Sequence, residues 1–136
     1  NLPSSVESPF LPKAQNIMWH ESDDISSSAN TGKPVMMYFY LTWCPACHAF
    51  ENDALSDSVV ISHVNTMFYA VKIDAEHSEL ARSIGLRSFP TVILLKPIIV
   101  YNDGSSNLDD VASRAVMLTG YIGAEQFAKE LESFRW

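Results

Sequence analysis

Val35-Met36-Met37-Tyr38-Phe39-Tyr40-Leu41-Thr42-Trp43-Cys44-Pro45-Ala46-Cys47-His48 is the stretch from which the fold of this chain is read. Its first half, through Leu41, is a short apolar and aromatic run with the length and composition of a buried strand. Beyond Cys44 the period changes: Phe50, Ala54 and Leu55 recur at helical spacing among Glu51, Asn52 and Asp53. Pro45 suits the first position of that helix, where no backbone N–H is needed for the internal ladder. Cys44 and Cys47 are the only cysteines in 136 residues. A strand that turns sharply into a helix with Cys-x-x-Cys at the junction is the arrangement thiol–disulfide chemistry requires.

The placement has a physical reason. At a helix N-terminus Cys44 faces unpaired backbone N–H groups and the positive end of the helix dipole, both of which favour thiolate over thiol. Such positions lower a cysteine pKa from about 8.5 to between ~3.5 and ~7.5. The thiolate is the form that attacks a disulfide. Cys47, one turn deeper, is expected to be more shielded and to resolve the mixed disulfide formed by Cys44. Glu51 lies four residues beyond Cys47 on the same helix face. It is the candidate to take the proton that Cys47 loses, set against the plainer reading of a solvated surface carboxylate.

The cysteines admit three rival readings. A structural bridge three residues apart closes too small a loop to restrain much chain. A structural zinc site wants four Cys or His ligands, and here only His48 is adjacent, with His20, His63 and His77 scattered. The serious alternative is a c-type haem or metal carrier built on Cys44-x-x-Cys47-His48. A haem protein of this size is usually helical, so the preceding strand favours the redox dithiol. On that reading no cofactor and no metal are expected.

Composition narrows the partners. The net charge is −7, from nine basic and sixteen acidic residues, with no basic patch, so nucleic acid and anionic lipid are poor candidates. The longest apolar run, around Val92–Tyr101, is broken by Lys96 and Pro97, so no direct membrane insertion is expected. The length suits one domain. The chain begins with Asn1 rather than Met, and the expectation is a mature or trimmed chain whose leader or anchor has been removed.

Taken in order, residues 1–16, with Pro3, Pro9 and Pro12, are expected to form an extended lead-in, and 17–136 one domain. Ile17-Met18-Trp19 reads as a short edge strand, and Glu21 to Asn30 as a helix ended by Thr31-Gly32. Asp57 is placed to cap a second helical stretch through Val59, Val60 and Val64. Met67 to Ile73 reads as a strand. Ser78 opens a short helix carrying Leu80, Ala81 and Ile84, with Gly85 just past its end. This β-α-β-α order implies parallel strands joined by crossover helices. Arg87-Ser88-Phe89-Pro90-Thr91 then leads into the strand Val92-Ile93-Leu94-Leu95.

With these motifs in place the chain resembles the thioredoxin superfamily. Trp43-Cys44-x-x-Cys47 after a buried strand is similar to the family's redox centre. Gly85-Leu86-Arg87-Ser88-Phe89-Pro90-Thr91 resembles its cis-proline segment, and Gly120 with the helix Ala124–Phe134 its closing strand and helix. Within the superfamily the chain resembles the C-terminal thioredoxin-like domain of the periplasmic reductase DsbD and its relatives. The likeness is carried by Gly32-Lys33-Pro34-Val35-Met36, Trp43-Cys44-x-x-Cys47-x-x-Phe50-Glu51 and Ser56-Asp57.

The resemblance implies an α/β thioredoxin fold, a central mixed β-sheet flanked by helices, with an N-terminal extension and an insertion before the last strand. It implies that Pro90 is cis and faces Cys44. The Phe89 backbone would bind an extended substrate segment, with Trp43, Pro45 and Phe89 as an apolar rim. The activity implied is thiol–disulfide exchange on protein thiols and disulfides, reducing rather than oxidising, in the periplasm or another extracytoplasmic space, with a membrane-bound protein as an electron donor. Three departures from the family pattern stand out. Tyr38 occupies the place of a buried acid six residues before the first cysteine. Pro45-Ala46 is neither the Gly-Pro nor the Pro-His pair. Residues 98–114, with an Asn102-Asp103-Gly104 turn signal, read as a solvated insertion.

Overall fold

A computed structural model describes residues 16–136. The expected lead-in over residues 1–16 lies, apart from Asn16, outside the described residues. Strand β1 (Val35–Tyr40) is the centre of the molecule, buried at five of its six positions. It pairs in parallel with β2 (Tyr69–Asp74) and antiparallel with β3 (Thr91–Leu95), which pairs antiparallel with β4 (Val116–Thr119). The order across the sheet is β2-β1-β3-β4. The mixed sheet is flanked on both faces by helices α1 (Pro45–Asn52), α2 (Ser58–Met67), α3 (Glu79–Ile84), α4 (Leu108–Ser113) and α5 (Ala124–Ser133).

Side-chain alternation along the strands separates two cores. Met36, Tyr38, Val92 and Leu94 face Phe50, Val60, Val64, Phe127 and Leu131 of α1, α2 and α5. The rings of Phe50 and Phe127 meet edge to face at 5.1 Å, fixing α5 against the helix that carries the cysteines. Val35, Met37, Phe39, Ile93 and Leu95 face the other way, onto Ala81 of α3 and Val111 of α4.

Local chemistry sets the element ends. The Asp57 carboxylate accepts from the Val59 and Val60 N–H groups, capping α2 as expected. The Ser78 hydroxyl accepts from Ala81 N–H at the start of α3. Gly85 ends that helix at φ +80°, a conformation that Cβ-bearing residues adopt at a cost.

Four expectations are corrected. Ile17–Trp19 is not a strand: the Met18 N–H goes to Asn65 Oδ1 at 2.8 Å, and the Asn65 amide donates to Asn16 O at 3.0 Å. Those bonds take the segment's backbone groups onto α2, and only His20 bridges to β2, at Val71. Glu21–Asn30 is not one helix but a short 3₁₀ segment over Ser26–Asn30. The Ser22 hydroxyl and Asp24 carboxylate accept backbone N–H groups two residues on, an alternative to the helical ladder. The second strand begins at Tyr69 rather than Met67, because Met67 still belongs to α2 and Phe68 N–H returns to Val64 O at 3.0 Å. The stretch 98–114 is more than a solvated excursion: it contains α4, and Val111 and Ile98 are buried in the second core.

Candidate active site

Cys44 is the N-cap of α1, in extended conformation, with Pro45 as the first helical residue. The chain leaves β1 at Tyr40 and reaches Cys44 in four residues, so Cys44 sits just past the C-terminal end of β1. There the Cys47 N–H donates to Cys44 Sγ at 3.1 Å. That bond, with the helix dipole behind it, places positive potential on the sulfur when it is reduced. The two sulfurs are joined as a disulfide. Cys44 is 7% exposed and Cys47 is fully buried, so solvent or a partner meets Cys44 first.

The second wall comes from the loop before β3. The Phe89–Pro90 peptide is cis, and the Phe89 carbonyl oxygen lies 3.7 Å from Cys44 Sγ. Two bonds tie this loop down: the Thr91 hydroxyl donates to Ser88 O at 2.6 Å, and Gly120 N–H donates to Pro90 O at 2.7 Å. Pro90 is buried and Phe89 half-buried, while Pro45 is exposed and Trp43 is 68% exposed beside Cys44 in the chain.

Glu51 is half-buried and accepts a 2.6 Å hydrogen bond from the Tyr38 hydroxyl. Burial, and then the Glu51 carboxylate, push the Tyr38 phenol far above its ordinary range. Asp53, at the end of α1, accepts a hydrogen bond from the Tyr121 hydroxyl, which that bond also pushes up. Sequence reasoning missed these two tyrosine–carboxylate pairs and the Gly120–Pro90 bond. A lone hydroxyl inside an apolar strand is a signal that a partner exists, because buried polar groups are hydrogen-bonded. Nothing in the sequence pointed to Tyr121.

The donor set of the haem or metal alternative is not assembled. His48 Nε2 lies 2.9 Å from the Thr42 carbonyl, to which it donates, and the cysteine sulfurs bond each other. Away from the dithiol, Asp74, Glu76 and His77 bring ligand atoms within 4.8 Å of one another. Both Asp74 oxygens are already engaged there, by Glu76 N–H and His77 Nδ1.

A Cys-x-x-Cys at a strand–helix junction, faced by a proline loop on a four-stranded mixed sheet, defines a thioredoxin-like redox domain. A family model described as "Thioredoxin-like domain" matches residues 22–102, and the chain belongs to that family. It is 30% identical over 106 residues to the thiol:disulfide interchange protein DsbD of Yersinia pestis (strain Pestoides F), covering 75% of this chain and 16% of that protein. The chain thus spans about one-sixth of the length of the DsbD relatives it matches. Thioredoxin 2 of Plasmodium falciparum (isolate 3D7) is 35% identical over 90 residues, 64% of this chain and 54% of that one.

Among solved structures, the oxidised C-terminal domain of Neisseria meningitidis DsbD superposes with a TM-score of 0.59 at 25% identity, covering 87% of this chain and 99% of that one. A thioredoxin from Thermus thermophilus superposes with a TM-score of 0.66 at 24% identity, covering 86% and 85%, a likeness of fold. Family and site together make this a thioredoxin-like domain that carries a paired Cys44-x-x-Cys47. No helix among the described residues is long and apolar enough to cross a membrane.

Proposed function

We propose that the domain reduces protein disulfides, with Cys44 as nucleophile and Cys47 as resolving thiol. The Cys44 thiolate attacks one sulfur of a substrate disulfide, forming a mixed disulfide and releasing the other sulfur as thiolate. Cys47 then loses its proton and attacks Cys44 Sγ, expelling the second substrate thiolate and leaving Cys44–Cys47 oxidised. Glu51, one turn beyond Cys47, takes that proton. The Phe89 backbone and Pro90 receive an extended segment of substrate beside the sulfur, and Trp43, Pro45 and Phe89 supply an apolar rim.

The observation that carries this reading is the position of Cys44 Sγ, at the N-cap of α1 and 3.7 Å from the Phe89 carbonyl. A reducing direction, an extracytoplasmic setting and recharging by a membrane-bound dithiol protein draw support from the likeness to DsbD. Titration of Cys44–Cys47 against a glutathione buffer tests the direction. A potential near that of thioredoxin, about −270 mV, is expected, and one near about −120 mV overturns it. Insulin reduction tests the residues: activity disappears in C44S and in C47S, and activity surviving in both removes the proposal.

A further inference from the structure

Tyr38 lies at the heart of β1, six residues before Cys44, and none of its surface reaches solvent. Its ring packs 5.6 Å from Phe50, 5.7 Å from Tyr40 and 5.8 Å from Trp19. A phenylalanine would fill that space without a polar atom to satisfy. The hydroxyl reaches instead to Oε2 of Glu51, the residue one helical turn beyond Cys47.

Three features of the pair bear on the chemistry. Tyr38 stays protonated throughout the working pH range, so it is a permanent donor and cannot itself accept a proton. Its bond is made to a carboxylate, and a hydrogen bond to a charged acceptor is stronger than one between neutral groups. It also holds a side chain whose three torsions would otherwise let the carboxylate swing into water. Cys47 is fully buried, so its thiol proton has no direct contact with solvent, whereas Glu51 is half-buried and spans the boundary. The other charged or titratable groups at this pair are Tyr40 on β1 and, through it, Asp74, Glu21 and Lys72. Tyr40 is itself pushed up, by burial first and then by Asp74, Glu21 and Glu51. Lys72 lies 4.9 Å from the Tyr40 ring centre.

We propose that Tyr38 is a positioning residue for the resolving step: its hydroxyl fixes the Glu51 carboxylate where it takes the Cys47 proton, with Oε2 held and Oε1 left to receive. The proposal rests on the reading of Glu51 as proton acceptor, and the experiment separates the two. Reduced protein is mixed with 5,5′-dithiobis(2-nitrobenzoate) in a stopped-flow instrument. The first phase forms the Cys44 mixed disulfide and releases one thionitrobenzoate. The second is Cys47 attack, which releases another.

Tyr38→Phe is expected to slow the second phase about tenfold, the worth of one hydrogen bond to a charged group. The first phase is unchanged. Glu51→Gln slows the second phase about 100-fold, and adding Tyr38→Phe to it produces no further loss. Glu51→Asp keeps the charge, withdraws it from the hydroxyl and reproduces Tyr38→Phe, which covers the case in which the phenylalanine variant does not fold. If Glu51→Gln slows the second phase while Tyr38→Phe and Glu51→Asp do not, the positioning role is wrong and Glu51 acts alone. Equal slowing by Tyr38→Phe with and without Glu51→Gln also overturns it. A second phase untouched by Glu51→Gln removes the Glu51 reading and this one with it.

Discussion

Gly120 N–H donates to the carbonyl oxygen of Pro90 at 2.7 Å, so the residue after β4 holds the proline loop in place. Gly120 takes φ +86°, and a Cβ built there meets no atom within 4 Å. The cost of Gly120→Ala is therefore conformational rather than steric. It should lower stability by about 1–2 kcal/mol, read as a shift of the urea midpoint at unchanged slope. A slope that falls with the midpoint would mean that the loop has loosened in the native state.

The unequal exposure of the two sulfurs makes a separate prediction. Cys44 keeps some exposed surface, whereas Cys47 has none. Cys47→Ser should accumulate a stable mixed disulfide with a substrate protein, visible as an added mass lost on reduction. Cys44→Ser should form little, because the remaining thiol is buried. Equal trapping by both variants would contradict the assigned order of attack.

Much of this arrangement was legible in the sequence, because the deciding signals are local. A run of apolar residues, two cysteines, a proline at the first helical turn and Asp57 before a valine-rich helix act within a few residues of one another. They fixed β1, α1 and α2. The reading failed where a distant group captured the backbone: Asn65 takes the Met18 N–H across 47 residues and prevents the edge strand expected there. It also failed where polar side chains near Ser26 offered the backbone a substitute for the helix. Tyr38 could be seen to replace an acid, but its bond to Glu51 depends on how α1 lies across β1, which no local pattern encodes.

The segment 98–114 makes the same point through packing, since two buried residues, Ile98 and Val111, anchor it. Val111 of α4 is fully buried against the β1–β3 face. Burial of such a side chain is worth about 1.5–3 kcal/mol. Val111→Ala should lower stability by about 2 kcal/mol. A polar loop resting on the surface would lose almost nothing, so a change below about 0.5 kcal/mol would return 98–114 to that status.

The same helix is tied down electrostatically, and here the effect depends on pH. Asp110 bonds Lys96, just past the end of β3, and accepts from Arg114 Nε at 3.0 Å. The Lys96 bond first, and then that of Arg114, hold the Asp110 carboxyl below its ordinary value of 3.8. A carboxyl depressed on folding contributes stability above its unfolded pKa, and that contribution is lost as pH falls through the lower folded value. Asp110→Asn should therefore be less stable than the native chain at pH 7, by a margin that holds down to about pH 4 and then closes on further acidification. The carboxylate is exposed, so the margin should also shrink in molar salt. Amide exchange in α4, followed with pH, reads the effect where it acts. A difference that widens below pH 4 would reverse the sign of the linkage and show that Asp110 is held by something other than these two cations.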